Sequence, residues 1–345
     1  SSLKYKKMSN QRLVIAILLC WVVLLLRQNP FAGDAHQRTA RQVRKIFPEL
    51  RQQIPDLAKL VISDKDSSVT VQLAGAGSLY SAQQWLVEEK EHPVDRAKLM
   101  YLLNGLSDIK GVDLVSIKEA SHQVYGVNAD GGTRVQAFDN QGNKVVDWIA
   151  GANRSQDILG GDKPVFEYYM RRFDSDEVYL SGGAIQPSTD AIDWCDVDFL
   201  RGIDAYQVES ISRFDFASKT SWTIERINPA PASEEQSRWQ LTQPLEALID
   251  NFPGDSLAFT CSKIKATGVV ALANGEETDN AKYKFPQDRF LVVIKGNTLE
   301  FELGAPAREG HRYLRVKGLQ HIYTISDFEV GQLRQSMQTL YDDND

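Results

Sequence analysis

Tyr168–Ser181 reads "YYMRRFDSDEVYLS", and Arg312–Ile325 reads "RYLRVKGLQHIYTI". Each stretch sets a tyrosine, a large apolar residue, an arginine, and a second tyrosine ten residues after the first. These are Tyr169-Met170-Arg171…Tyr179 and Tyr313-Leu314-Arg315…Tyr323. Two runs of strand-favouring residues around a short polar break form the pattern of a β-hairpin. One chain writes that hairpin twice, which points to an internal repeat.

The correspondence extends upstream. "SSVTVQL" (67–73) and "TSWTIER" (220–226) alternate as strands, and each precedes a tryptophan, Trp85 or Trp239. Trp85 stands 57 residues before Gly142-Asn143, and Trp239 stands 57 residues before Gly296-Asn297. Gly-Asn supplies a tight turn where a positive φ is wanted, and an apolar strand follows each time. Tyr125-Gly126 and Tyr283-Lys284 occupy similar places. The first copy also carries an insertion, Asn153 to Glu167.

In the first copy Leu99, Leu102, Leu103, Leu106 and Ile109 form one helical stripe, and Pro93 marks its start. In the second, Pro253-Gly254 is expected to break the helical stretch, although Leu257, Cys261 and Ile264 share a helical face. Strands joined by tight turns pair antiparallel. The expected fold class is therefore α+β: a single N-terminal transmembrane helix, then two repeated units of antiparallel sheet with helices on one face. The expected division is a tail at 1–12, an anchor at 13–32, a juxtamembrane helix or linker at 33–56, a first repeat at 57–190, and a second at 191–345 with a C-terminal helix. "GGAIQPSTDAIDW" (182–194) is the expected junction, while "NPAPASEEQS" (228–237) and "ANGEETDNA" (273–281) read as exposed loops.

The anchor rests on "LVIAILLCWVVLLL", Leu13 to Leu26, an uncharged run between Arg12 and Arg27. As a helix it covers about 21 Å, short of a hydrocarbon core of about 30 Å. Snorkelling of the flanking arginines and the residues from Trp21 to Ala32 lengthen it. No small-x-small cleavage site follows promptly, which favours a retained anchor over a cleaved signal. Residues 1–50 hold nine Lys or Arg against Asp34 and Glu49, within a 345-residue chain of net charge −7. Basic residues flank the anchor on both sides, so charge alone does not orient it. A short tail before such an anchor leaves the body outside the cytoplasm. The acidic body argues against a nucleic-acid surface.

Searching for chemistry yields little. There is no GxxxxGK[ST], GxSxG, HExxH or CxxC, and Gly75-Ala76-Gly77-Ser78 lacks the third glycine of a dinucleotide loop. Cys195 and Cys261 read either as one disulfide or as two buried thiols, with thiols favoured. His311 and His321 read as exposed strand-end residues that could approach across the second hairpin. Asp193, Asp196 and Asp198 read as a solvated junction. Arg171 and Arg315 are the candidate site residues. Each is either an anion-gripping guanidinium held on a sheet or a structural cross-strand partner, with Glu167 or Glu177 as candidate mates in the first copy. Leu13, Trp21 and Leu26 are the anchor's candidate membrane contacts.

On these motifs the chain resembles the bacterial family known as domain of unknown function 4340. The residues that carry the resemblance are Trp85-Leu86-Val87, Tyr125-Gly126, Gly142 to Gly151, and Tyr169-Met170-Arg171…Val178-Tyr179-Leu180, with their counterparts in the second copy, over roughly residues 55–330. The resemblance implies a membrane-anchored, single-pass protein of the bacterial inner membrane with its body in the periplasm. It implies a non-catalytic accessory role beside an ABC-transporter ATPase, a permease and an auxiliary gliding-motility-type protein. Membrane lipid is the other expected partner, and no cofactor or metal is expected. Two other classes remain open: a free-standing envelope scaffold or ligand-binding protein, and an enzyme acting on envelope polymers.

Overall fold

The computed structural model describes residues 44–76, 78–155, 166–182, 185, 187–227, 239–249, 251–334 and 340. The anchor with Leu13, Trp21 and Leu26, the loop at 228–237, and most of the 153–167 insertion lie outside the described residues. Among the described residues, no helix is long and apolar enough to cross a membrane.

Two mainly antiparallel sheets dominate, with a few short helices, so the fold is α+β. The first sheet holds β1 (Arg44–Lys45), β2 (Leu57–Ser63), β3 (Ser68–Leu73), β4 (Trp85–Val87), β5 (His92–Pro93), β6 (Lys110–Ser116), β7 (Thr133–Asp139), β8 (Lys144–Ser155), β9 (Phe166–Arg172) and β10 (Val178–Gly182). The second holds β11 (Val208–Asp215), β12 (Thr220–Arg226), β13 (Trp239–Gln243), β14 (Ala247–Ile249), β15 (Gly268–Leu272), β16 (Asp288–Ile294), β17 (Asn297–Arg308), β18 (His311–Val316) and β19 (His321–Ser326). The helices are α1 (Leu50–Gln53), α2 (Arg96–Asp108), α3 (Asn251–Ser262), α4 (Glu276–Tyr283) and α5 (Asp327–Leu333).

The sheets run β1-β6-β10-β9-β8-β7-β2-β3-β4-β5 and β14-β13-β12-β11-β16-β17-β18-β19-β15. Read from opposite ends, they share one order, with β1 as the addition in the first. The register agrees as well. Met170 faces Tyr179 and Leu314 faces Tyr323; Arg171 faces Val178 and Arg315 faces Ile322. Trp85 and Trp239 open equivalent strands, β4 and β13.

The described part of the expected juxtamembrane helix or linker, from Arg44 on, is not one helix. β1 pairs with β6, a single helical turn and a 3-10 turn follow, and Leu57 already begins β2. Pro48 and Pro55 shorten what helix there is. Ile46, Phe47 and Leu50 are buried in the core, so this lead-in is part of the first sheet's structure. α2 begins at Arg96 rather than at Pro93, because Asp95 caps it by accepting from the backbone of Ala97 and Lys98.

The second-half helix is not broken. α3 runs through Pro253 and Gly254, which sit in its first turn, where a missing N–H leaves no bond unmade. A Cβ on Gly254 would lie 2.3 Å from the Trp239 ring, so glycine lets the indole pack directly on the helix backbone. "ANGEETDNA" is largely helix α4, with Glu276, Glu277 and Asp279 in its first turn, where the helix dipole favours acids.

One continuous core runs through both sheets and includes residues of α2, α3 and α5. Helices are not confined to that face. Along β9 and β18, Met170 and Leu314 point into the main core, while Tyr169 and Tyr313 point the other way. There Val127 with Ile149 and Val178, and Tyr283 with Phe285 and Ile322, form two small outer clusters. The second cluster takes Tyr283 from the end of α4, so α4 covers the face opposite α3.

Candidate functional site

The paired arginines lie on these outer faces, beneath equivalent latches. Tyr125 stacks near Tyr169 with ring centroids 4.6 Å apart, and Tyr283 near Tyr313 at 4.7 Å. Gly126 has φ +65° and Lys284 φ +59°, so the left-handed kink persists although a lysine replaces the glycine. Each latch lies on a strand glycine. A Cβ at Gly151 would meet the Tyr125 carbonyl oxygen at 2.5 Å, and one at Gly304 would meet that of Tyr283 at 2.5 Å.

Arg171 is buried and grips backbone, not carboxylate. Its Nε donates to the Val127 carbonyl at 2.7 Å, and its Nη1 donates to the carbonyls of Arg172 (3.1 Å), Phe173 (2.9 Å) and Ser175 (3.1 Å). Neither Glu167 nor Glu177 is its mate. Glu177 instead accepts from the Tyr179 hydroxyl at 2.7 Å and lies 3.8 Å from Arg44. Burial pushes the Arg171 guanidinium below its ordinary value, partly countered by the charge of Asp176. Arg171 is thus a clasp between the latch and the β9–β10 turn.

Arg315 does something else. Its Nε donates to Glu302 at 2.9 Å, and its Nη2 makes a second bond to the same oxygen. Arg289 forks the other oxygen of Glu302 at 2.9 and 2.7 Å. Lys317 bonds Glu300 at 2.6 Å. Together with Gly275, Glu276 and Asp279 these residues line an open depression of about 390 Å³. The first sheet lacks this arrangement because Ile149 occupies the position opposite Arg171 that Glu302 occupies opposite Arg315. Arg134, the counterpart of Arg289, pairs instead with Asp147 at 2.7 and 2.8 Å and lies over the Phe173 ring. Glu302 thus accepts from two guanidiniums, one on each carboxylate oxygen, an arrangement that suits charge pairing.

A second cluster joins the two sheets. His92 of β5 lies with its ring 4.8 Å from that of His321 and 5.7 Å from that of Tyr323, both in β19. Its Nδ1 is 2.8 Å from the Pro93 carbonyl, so that nitrogen carries the proton, and Nε2 accepts from the Tyr323 hydroxyl at 3.1 Å. His321 donates from Nε2 to the Lys90 carbonyl at 3.1 Å. Phe199 closes over Tyr323 at 5.1 Å. His311 and His321 do not meet: antiparallel pairing sets His311 opposite Ser326, at the far end of the hairpin. His321 is buried rather than exposed.

The junction is laced into this seam. Asp95 accepts from Arg201 at 2.8 and 2.6 Å, and Arg201 also pairs with Asp196 at 3.2 Å and Asp198 at 3.9 Å. Val94 bridges Cys195, and Asp198 bridges Lys265. Cys195 and Cys261 are free and buried; burial raises the Cys195 thiol to about 12 and raises that of Cys261 as well. Among the described residues, no group of three or more His, Cys, Asp or Glu is arranged to hold a metal ion.

The seam makes stability depend on pH. Burial lowers His92 from 6.5 to about 4, with His321 adding repulsion, and burial lowers His321 too. Below pH 6.5 the unfolded chain binds protons that the folded chain refuses, so stability falls as pH falls toward 4. His92 alone should cost about 2 kcal/mol between pH 7 and pH 5. His92→Gln should flatten that slope in urea titrations at the two pH values; an unchanged slope would place the titration elsewhere.

The sequence marks His321 and Tyr323 in the second hairpin and Cys195, Asp196 and Asp198 at the junction, but not their meeting with His92, which is 231 residues from Tyr323. No curated protein and no solved structure matches the chain. The family described as domain of unknown function (DUF4340) matches residues 85–236, starting on the Trp85 of β4 and stopping three residues before Trp239. Over that stretch, which holds the Arg171 clasp and the junction lacing, the chain resembles the DUF4340 family.

Proposed function

We propose that this chain is a non-catalytic, membrane-anchored extracytoplasmic accessory subunit of an ABC-transporter complex of the gliding-motility-associated type. Its two sheets are read as two copies of one ancestral unit. The resemblance over residues 85–236 carries this reading, and the apolar run Leu13–Leu26 supports the tether. An anchor raises the concentration of the body near membrane partners, so each contact of the body can be weak. The ATPase and permease would supply the energy and the path, and this chain the contacts.

Full-length tagged chain extracted from native membranes should bring down the ATPase and permease subunits, read by mass spectrometry. Deleting residues 1–33 should leave the body folded and cut that recovery at least about tenfold. Recovery of neither subunit, or turnover of an envelope polymer by the purified chain, would overturn the proposal. Glu277 is exposed on α4, and Glu277→Cys should react with a membrane-impermeant thiol reagent once the outer envelope is permeable. Labelling only after inner-membrane lysis would put the body in the cytoplasm.

A further inference from the structure

The seam joins two different edges. The first sheet contributes the β4–β5 side, with Lys90 and His92; the second contributes β15 and β19, with Leu272, His321 and Tyr323. Because the two sheets share one strand order and register, each sheet also carries the other half. In the second sheet, Ala247 pairs with Leu241 as His92 pairs with Val87, so β13–β14 stands where β4–β5 stands. In the first sheet, Tyr179 pairs with Leu114 as Tyr323 pairs with Val269, so β6–β10 stands where β15–β19 stands, with β1 pairing on β6 at Lys110 and Gly111, before Leu114.

The used and unused halves differ in exposure. Val269 and Tyr323 are buried, 5% and 2% exposed, whereas Leu114, within β6, and Ile117, just after it, are 48% and 64% exposed. At the other end of the molecule Leu245 and Leu248 are 45% and 72% exposed. Apolar side chains thus stand open at both unused halves, and the chain itself shows what covers such an edge.

We propose that these two surfaces bind each other between chains: the β13–β14 edge of one copy docks on the β6–β10 edge of a second copy, repeating the internal seam. The contact is heterologous, so it generates a line or a closed ring of chains and not a two-fold dimer with one interface. Each copy added buries one more seam, as in a stacked repeat array. Self-association of this kind does not require transporter partners, so the failure of either proposal leaves the other standing.

The test uses the full chain in detergent or nanodiscs, with mass followed by sedimentation across a concentration series. The wild-type chain should grow beyond two copies. Leu114→Asp with Ile117→Asp, and separately Leu245→Asp with Leu248→Asp, should each weaken association at least about 30-fold. These residues are exposed, so the fold should survive, as circular dichroism will report. Mixing the two variants should restore a pair of one chain each and nothing larger, since each keeps the half the other lacks. Ile117→Cys with Leu245→Cys should give an intermolecular ladder on oxidation. A wild-type chain that stays single throughout the series overturns the proposal, as does a mixture in which the two variants ignore each other.

Discussion

Trp239→Ala should lower unfolding stability by about 3–5 kcal/mol, the cost of deleting a fully buried indole. The side chain is completely enclosed, donates from Nε1 to Asp255 at 2.9 Å, and lies under the Arg226 guanidinium at 4.4 Å. Gly254 gives the neighbouring helix no Cβ with which to fill the hole, so the site collapses poorly. Trp85→Ala, at the equivalent position of the first sheet, should cost about 1–2 kcal/mol, because that indole is half-buried at the margin of the core. Urea unfolding followed by circular dichroism, which does not depend on the deleted fluorophore, measures both. Equal losses would mean that enclosure does not set the difference.

Arg171→Ala should cost a similar amount, about 3–5 kcal/mol, while Arg315→Ala costs about 1–2 kcal/mol. Removing Arg171 takes a donor from four backbone carbonyls, of which that of Arg172 still accepts from the Ser175 N–H at 3.2 Å, and it unpins the latch at Val127 from the β9–β10 turn. Removing Arg315 leaves Glu302 with the fork from Arg289, at the wall of an open depression. Arg171→Lys should recover little, since one ammonium cannot reach all the carbonyl acceptors placed for two nitrogens of a planar guanidinium. Thermal and urea unfolding of the three variants decide it. If Arg315→Ala proved the costlier, the ion-pair network and not the backbone clasp would hold the outer face.

The duplicated hairpin, its spacing and its strands were readable because alternation and tight turns are local. Ser68–Leu73 and Thr220–Arg226 are strands where the alternation runs, and Gly142 and Gly296 take the positive φ that the turns need. Leu99, Leu102, Leu103 and Leu106 are buried on α2 as their stripe requires. What the arginines touch was not readable, since the Arg171 clasp reaches Val127, 44 residues away, and a backbone carbonyl has no sequence signature. Pro253 misled because a proline reads as a breaker unless its place in the first turn is known. The correspondence of Tyr283-Lys284 with Tyr125-Gly126 holds although a left-handed conformation is rare outside glycine, because Tyr283 and Phe285 are both packed in the outer cluster. The His92–His321 contact depends on how two whole sheets meet, which no local pattern encodes.

The two-residue strand β1 has a mechanical consequence. It joins the fold at the edge of β6 through Arg44–Gly111 and Lys45–Lys110, and the chain before Arg44 leads toward the apolar run. A load applied to the N-terminal end reaches these bonds in turn and unzips them, because an antiparallel edge strand pulled from one end is peeled rather than sheared. Behind them Ile46, Phe47 and Leu50 form a buried plug. Tension therefore meets a weak zipper and then an apolar stopper, before it reaches β2 in the interior of the sheet. In a force–extension trace of the full chain, a small early rip of this lead-in should precede the main unfolding event.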